Sequence, residues 1–174
     1  MSTDAIVILK EDHKQIRQLF RTFEEAGEDA DAAKAELVDK IVEALTVHTY
    51  LENEVMYPTV RTLVPDLEQD IRQSFEEHHV ADVLCRELAG MQPSDEQLTA
   101  KTTVLIDAVT RHIQDEEQDW FPKVRAALGR KELQEIGARM IALRDQAPHH
   151  PERSLMRRMT EAVTSRSAQN RPQM

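Results

Sequence analysis

Four long stretches of this sequence carry apolar residues at the spacing of an α-helix. They cover residues 3–26, 31–57, 66–89 and 94–128, and short segments with Gly or Pro separate them. Steps of three and four residues place apolar side chains on one helix face, which must be buried against a partner. Only 4 of the 174 residues are Gly, which disfavours a strand-rich fold with many tight turns. The sequence therefore predicts an all-α, antiparallel up-down four-helix bundle.

Proline and capping residues predict where two of these helices begin and end. The second helix is expected to stop at Tyr57-Pro58, because proline disfavours the helical conformation in the residue before it. Ser94 and Gln97 have the spacing of a capping box, so the fourth helix is expected to open there. Pro122 is expected to bend or interrupt the last turns of that helix.

The chain beyond the bundle is predicted to form a small appendage. Residues 1–128 make up the predicted bundle, and residues 129–166 a C-terminal helical appendage. One or two short helices are expected within the appendage, over residues 130–146 and 152–166. The last residues, 167–174, are polar and are expected to be disordered.

Charge and composition exclude several classes of partner. The formal net charge is −10, from 22 Lys and Arg against 32 Asp and Glu, so no nucleic-acid partner is expected. No apolar run approaches the length of a transmembrane helix, so no membrane association is expected. The single Cys85 and the lack of an export signal predict a cytoplasmic protein. The oligomeric state stays open between a monomer and a weak dimer.

The two halves of the predicted bundle contain the same constellation of polar residues. The second and fourth helices each have a His, a Glu four residues later, and an aromatic-Pro pair five residues beyond the Glu. The first and third helices each add one His, 35 residues before the motif His in one half and 34 in the other. The members are His13, His48, Glu52 and Tyr57-Pro58, and then His78, His112, Glu116 and Phe121-Pro122.

Helix geometry allows these side chains to share one site. His48 and Glu52 are one turn apart on the same face, and the second motif repeats this. A rise of about 1.5 Å per residue places the four His at similar heights in the bundle. All of them lie on or beside the apolar faces, where an unpaired imidazole or carboxylate is costly. Two metal ions supply the positive charge that two buried Glu require, so the sequence predicts a metal site.

The types of donor indicate which metal suits this site. Imidazole and carboxylate without thiolate suit iron, manganese or zinc. If Glu52 and Glu116 each bridge two octahedral ions, about four of twelve positions remain for an oxo or hydroxo bridge and an exogenous ligand. The sequence therefore predicts two iron ions with room for a small molecule.

The third helix offers two adjacent His for this site. His78 projects near the middle of the apolar face, and His79 lies about 100° further round, so we favour His78. Glu76 and His79 also form an ExxH unit, which is typical of ferritin-like di-iron bundles. Such bundles need two copies, and this sequence has one, so that alternative is weaker. Asp12, Glu77 and Asp119 are candidate acceptors for the outer His N–H groups, or else solvated charges.

The order His, HxxxE, His, HxxxE, with an aromatic-Pro pair after each HxxxE, resembles the signature of the hemerythrin-like (HHE cation-binding) domain family. The resemblance covers about residues 3–128. It implies a four-helix bundle with a non-haem di-iron centre. The implied metal ligands are the bridging Glu52 and Glu116 and the capping His13, His48, His78 and His112. The family includes O2 carriers and sensors, iron-responsive proteins, and bacterial members linked to peroxide or nitric oxide handling, among them the similar mycobacterial hemerythrin-like proteins.

One departure from the oxygen-carrying hemerythrins bears on function. Those proteins have an HxxxH arrangement in the third helix, whereas Asp82 stands after His78 here. An iron with fewer imidazoles has more sites for water, peroxide or NO, which disfavours reversible O2 carriage. We therefore expect a di-iron protein that binds or turns over O2, H2O2 or NO, with catalase-like or NO-consuming activity.

A sensing role is the alternative function. The basic residues Arg153, Arg157 and Arg158 follow the acidic body of the chain. In this alternative, metal or ligand occupancy changes the bundle, and the C-terminal segment signals to a protein partner.

Overall fold

The computed structural model describes residues 3–27 and 30–151, and within them every regular element is helical. Two π-helical turns, Glu52–Met56 and Glu116–Trp120, and a 3-10 turn, Pro65–Leu67, connect or precede α-helices. The α-helices are α1 (Ala5–Glu25), α2 (Asp31–Leu51), α3 (Tyr57–Leu63), α4 (Glu68–Ala89), α5 (Leu98–Asp115), α6 (Phe121–Ala127) and α7 (Arg130–Arg144). The predicted all-α class is confirmed.

These helices form four rods that pack as an antiparallel bundle. The rods are α1, α2 with α3, α4, and α5 with α6. The first rod packs on the second and the third on the fourth, and α2 joins the two pairs by packing on α4. Short connections between successive rods reverse the chain each time, which fixes the up-down order. The predicted bundle is confirmed.

The bundle core consists of two apolar clusters stacked along its axis. One contains Leu9, Leu51 and Trp120, and the other contains Ile16 and Leu45. Along its rod, each of the four candidate His lies between residues of one cluster and residues of the other. The four His therefore mark the level at which the two clusters meet. Polar side chains at this level are therefore surrounded by apolar packing above and below.

The second helix does not stop at Tyr57-Pro58, so that expectation was wrong. Tyr57 is helical, with φ −63° and ψ −46°, and the rod continues to Leu63. The backbone N–H of Tyr57 donates to the carbonyl of Glu52, five residues back, in a widened turn. The widened turn contains one extra residue before Pro58. Pro58 therefore lies in the first turn of α3, where a helix tolerates both the missing N–H and the proline ring.

The fourth helix opens at Leu98, and the predicted capping box does not form. Gln97 precedes the helix without a side-chain cap. Asp95 stabilises a turn in this segment instead, because its side chain accepts a hydrogen bond from the Gln97 N–H at 3.0 Å. Such a local bond from an Asp to the backbone two residues on stabilises a turn in competition with a helix.

The appendage begins with α7, which packs on α1 and also contacts α2 and the first π-helical turn. Its apolar side chains Leu133, Ile136 and Met140 join the same cluster as Leu9. The expected helix over residues 152–166 and the tail over 167–174 lie outside the described residues, and the proposed division at residue 128 stays a prediction. Within the described part of the chain, no helix has the length and apolarity needed to cross a membrane.

Gly137 lets α7 approach the start of α1, and we predict that Gly137→Ala destabilises the protein. A Cβ there would lie 1.9 Å from the Thr3 carbonyl oxygen and 2.9 Å from Ala5 N. The clash should cost about 1–3 kcal/mol in the free energy of unfolding, more than the roughly 1 kcal/mol that alanine gains in a helix. Urea unfolding measures the difference. Gly27→Ala is the control, since a Cβ there meets nothing within 4 Å; equal stability of the two variants would contradict the prediction.

Candidate metal centre

The structure brings all six sequence-predicted site residues to one level of the bundle. Each of the four rods supplies one His, and each π-helical turn opens with one of the two Glu. All six side chains are buried, and none is more than 7% exposed. They are His13 on α1, His48 on α2, His78 on α4, His112 on α5, and Glu52 and Glu116 on the π-helical turns. Their role as metal ligands stays a prediction.

The six side chains form two groups with the donor set of a metal site. His13, His48, Glu52 and Glu116 make up one group, and Glu52, His78 and His112 make up the other. The candidate ligand atoms of each group all lie within 4.8 Å of one another. Glu52 belongs to both groups, so its carboxylate can serve two cations at once.

The carboxylates connect the two halves of the chain. Glu52 Oε2 lies 3.2 Å from His48 Nε2 and 3.3 Å from His78 Nε2. Glu116 Oε2 lies 3.3 Å from His13 Nε2 and 3.6 Å from His112 Nε2. Each carboxylate thus stands between one imidazole of the first half and one of the second, which is the arrangement that a bridging carboxylate requires.

Outer contacts turn the imidazole Nε2 atoms toward the centre. His13 Nδ1 donates to Glu117 Oε1 at 2.9 Å, and His112 Nδ1 donates to Glu77 Oε2 at 2.6 Å. His78 Nδ1 donates to the side-chain oxygen of Asn53 at 3.0 Å. An imidazole that carries its proton on Nδ1 presents a lone pair on Nε2, which is the form that binds metals.

Of the three acceptors that the sequence offered, Glu77 accepts from His112 as predicted. Asp12 lies 3.6 Å from His48 Nδ1, too far for a hydrogen bond. Asp119 pairs with the exposed Lys123, which is the solvated-charge alternative. Sequence reasoning missed Glu117 and Asn53, because both reach their His across the bundle and follow no local spacing.

The polar atoms at the centre lack the partners that burial demands. Both oxygens of Glu52 and Oε2 of Glu116 are buried and accept no hydrogen bond. The Nε2 atoms of His13 and His48 lie 3.2 Å apart, and those of His78 and His112 lie 3.0 Å apart. Two lone pairs that face each other at such distances repel unless a proton or a cation lies between them. The donor set therefore fits cations that imidazole and carboxylate prefer.

The charges of this cluster shift the pKa values of its members. Burial lowers the pKa of His48, but Glu52 and Asp12 outweigh burial and raise it to about 10. Burial likewise opposes a raised pKa at His112, and Glu116 and Glu77 bring it to about 8. Burial raises the pKa of Glu52, yet His48 and His78 hold it well below its usual range. Protons on His48 and His112 thus supply part of the positive charge that a bound cation would otherwise supply.

Cation affinity should therefore rise with pH. A cation must displace the protons on His48 and His112, whose pKa values are about 10 and about 8. The affinity of the group that contains His48 should increase about tenfold per pH unit up to about pH 10, and that of the group that contains His112 about tenfold per unit up to about pH 8, because each cation displaces one proton. Titration with Co²⁺ at several pH values measures this slope. An affinity that does not change with pH would contradict the protonation assigned to these imidazoles.

Tyr57 is a site residue that sequence reasoning did not single out. Its hydroxyl donates to Glu116 Oε1 at 2.8 Å and lies 3.3 Å from His78 Nε2. Burial and the charges of Glu116 and Glu52 raise its pKa well above the usual range, so the hydroxyl stays protonated. The signal in the sequence was the aromatic residue before each proline. The second copy is Phe121, which stacks on His13 at a ring distance of 5.7 Å and has no hydroxyl.

The alternatives in the third helix are separated by burial. His78 is 2% exposed and lies in the centre. His79 and Glu76 lie on the exposed face of α4. The ExxH unit formed by those two residues therefore faces away from the centre, which disfavours a ferritin-like site.

A small cavity adjoins the group that contains His78 and His112. Its volume is about 20 Å³, and its walls include His48 together with apolar side chains. The apolar walls come from Leu45, Ala81, Ala108, Val109 and Ile113. A water molecule needs roughly 10–15 Å³ of such volume, so the cavity has room for about one water molecule.

Comparison with known proteins assigns the family. The model of the hemerythrin HHE cation binding domain matches residues 4–124. This chain belongs to that family. The match covers all six candidate ligands, so the chain is a hemerythrin-like cation-binding domain with a buried His and Glu cluster suited to metal. The family predicted from the sequence motifs is confirmed.

Two relatives of this hemerythrin-like chain are informative in different ways. A crystal structure of a hemerythrin HHE cation binding domain-containing protein from Mycobacterium kansasii has a TM-score of 0.69, with 24% identity, 82% of this chain and 86% of that chain covered. This likeness shows the shared fold. A DNA nickase from Nostoc sp. is 24% identical over 128 residues, which are 74% of this chain and 35% of that protein. The match thus spans about a third of that relative's length.

Proposed function

We propose that this protein is a non-haem di-iron protein that binds or turns over a small oxidant, namely O2, H2O2 or NO. The observation that carries the proposal is the position of Glu52 in both metal-suited groups, which fits two adjacent cations and not one. Donors of imidazole and carboxylate type, with no thiolate, suit iron. The buried Cys85 lies outside both groups. A stress-defence role, catalase-like or NO-handling, is the activity we infer.

The residues around the centre support redox chemistry with a small molecule. Two iron ions, when bound, supply the electrons for such chemistry. His13 and His48 hold one position and His78 and His112 the other, with Glu52 and Glu116 between them. The small cavity beside His78 has room for about one water-sized molecule, and Phe121 packs as an apolar ring on His13.

Tyr57 supplies a proton donor within this centre. Its hydroxyl proton is directed at Glu116 Oε1, 2.8 Å away, and the raised pKa keeps that proton in place at neutral pH. A donor at this point fixes the Glu116 carboxylate, so that Oε2 stays directed toward His13 and His112.

The proposal is tested by counting iron and following the decay of peroxide and NO. Purified protein should hold two iron ions per chain and consume at least one of the two molecules. His48→Ala should lower iron affinity by more than about tenfold, because it removes a direct ligand. His79→Ala is the matched control, since it removes an exposed imidazole that neighbours His78 in sequence and faces away from the centre. A protein that binds no iron, or a His48→Ala variant with full iron, would rule the proposal out.

Tyr57→Phe should separate iron binding from reactivity. The variant removes the hydroxyl and keeps the ring that packs against Phe75 and Trp120. Iron content should stay unchanged, while the peroxide or NO rate falls on the order of tenfold, the usual effect of losing a hydrogen bond to a charged group. Initial rates at matched iron content measure this. Tyr50→Phe, outside the two groups, should keep the wild-type rate; an equal rate in both variants would show that the Tyr57 hydroxyl has no role.

Iron or oxygen sensing through a protein partner is the alternative that the sequence leaves open. The basic residues that motivate it lie outside the described part of the chain. Deleting residues 148–174 distinguishes the two proposals. Unchanged peroxide and NO chemistry with loss of a binding partner would favour the sensor, and unchanged behaviour in both assays would favour the enzyme.

A further inference from the structure

The two groups of candidate ligands are not equivalent. We call the group of His13, His48, Glu52 and Glu116 the first position, and the group of Glu52, His78 and His112 the second position. The first position combines four donors within 4.8 Å of one another and the second three, because Glu116 Oε2 lies 3.3 Å from His13 Nε2 but 3.6 Å from His112 Nε2. The number of donors alone favours tighter binding at the first position.

An arginine fixes the acceptor behind His13. Glu117 Oε1 accepts from His13 Nδ1 at 2.9 Å. Arg17 holds the same carboxylate with two parallel bonds of 3.0 Å, one to each oxygen. A bidentate pair of this kind fixes the plane of the carboxylate as well as its position. The orientation of the His13 ring is therefore set before any cation binds.

A second arginine, from the appended helix, fixes a carboxylate near His48. Asp12 Oδ2 lies 3.6 Å from His48 Nδ1, an ion-pair distance that is too long for a hydrogen bond. Arg144, in the last turn of α7, donates to Oδ2 of Asp12 at 2.7 Å and to Oδ1 at 3.1 Å. Helix α7 is thereby linked to the surroundings of His48 through Arg144 and Asp12, although it contributes no ligand.

The second position has weaker outer support. His78 donates to the neutral amide of Asn53, and His112 donates to Glu77. Glu77 is held by the amide of Gln73 at 2.8 Å. Among residues 3–27 and 30–151, no arginine bonds to Asn53 or Glu77. Neutral amides hold an acceptor less firmly than a guanidinium, so the acceptors behind these two rings are less restrained than Glu117 and Asp12.

We propose that the first position is the tighter of two cation positions, and that Arg144 is a positioning residue that couples α7 to it. The first cation fills the position of His13 and His48, and the cation beside His78 and His112 is the more easily lost. This inference rests on the two-cation centre of the proposed function and not on the identity of the metal.

The order of filling tests the first part directly. Zn²⁺ is added to ¹⁵N-His-labelled wild-type protein in steps of half an equivalent, and the imidazole resonances are followed by NMR. The Nε2 signals of His13 and His48 should shift during the first equivalent and those of His78 and His112 during the second. Simultaneous shifts, or the reverse order, would overturn the inference without any variant being made.

Release of Co²⁺ to a chelator tests the role of Arg144. Wild-type protein should lose its two ions in a fast and a slow phase. Arg144→Gln should accelerate the slow phase by about tenfold or more and leave the fast phase unchanged, the usual scale for losing an outer contact to a ligand. Arg144→Lys should restore part of the slow phase. Arg139→Gln on the same helix, whose side chain reaches Thr59, should behave as wild type.

Two comparisons decide the outcome. If Asp12→Asn and Arg144→Gln act through one contact, the double variant should release Co²⁺ no faster than the faster-releasing single variant. Independent, multiplicative accelerations, or equal effects of Arg144→Gln and Arg139→Gln, would overturn the positioning role. The total Co²⁺ bound by wild-type protein is a separate readout. Fewer than two ions would refute the proposed centre, whereas two ions released at equal rates would refute only this inference.

Discussion

Replacing Glu52 with glutamine is expected to abolish tight binding at both cation positions. Glu52 is the one residue shared by the two groups, and its Oε2 lies within 3.3 Å of imidazoles from both halves of the chain. Glutamine keeps the shape of the side chain and removes the charge that balances two cations. The loss in affinity should exceed about a hundredfold, beyond the range seen for outer contacts. Isothermal titration with Co²⁺ and metal analysis of purified protein measure it.

Glu36→Gln provides the matched control for this experiment. Glu36 is an exposed residue of the same helix, α2, and undergoes the same chemical change. It should bind both ions with wild-type affinity. A Glu52→Gln variant that keeps one ion with unchanged affinity would show that Glu52 serves a single position and that the two groups do not share a ligand.

Removing the cations is expected to cause the largest change in stability. Loaded protein should be more stable than chelated protein by about 4 kcal/mol for each cation position when the free cation is roughly 1,000 times its Kd. The physical reason is the set of buried carboxylate oxygens without hydrogen bonds, which a cation satisfies and water cannot reach. Thermal unfolding of loaded and chelated samples gives the difference.

The size of this difference should grow with pH. The pKa of His48 is raised from 6.5 to about 10, so its protonation stabilises the chelated fold fully below pH 6.5. That contribution is lost as the pH rises through about 10, and His112 adds a smaller loss through about pH 8. Loaded protein has no such protons to lose. A gap in Tm that narrows between pH 6.5 and pH 8 would contradict this account.

The two π-helical turns explain how the bundle accommodates this site. Each begins at a candidate bridging Glu and ends just before an aromatic-Pro pair. The widened turn lets the rod continue past Pro58 and Pro122, which would otherwise end a helix. The widened turn also places Tyr57 against His78 and Phe121 against His13. Without its extra residue, both aromatic side chains would lie one position further along the helix. The repeated aromatic-Pro pair is thus a structural companion of the HxxxE motif.

The sequence alone determined the helical class, the bundle and the convergence of six polar residues. These features depend on spacing within a helix, which the period of 3.6 residues fixes locally. His48 and Glu52 share a face for that reason, whatever the rest of the chain does. The repetition of the same spacing in the second half made a shared site the simplest interpretation, and the choice of His78 over His79 followed from the same period.

Tertiary structure decided everything that depends on which rods face each other. Glu117 reaches His13 across 104 residues of sequence, and Arg144 reaches Asp12 across 132. No local period encodes such pairs, because they depend on the rotation and height of whole helices in the packed bundle. The same holds for Tyr57, whose hydroxyl meets Glu116 on another rod, while the equivalent Phe121 only stacks on His13. Spacing along the chain therefore gave the ligands as a symmetric set, and packing between rods made the two halves of that set unequal.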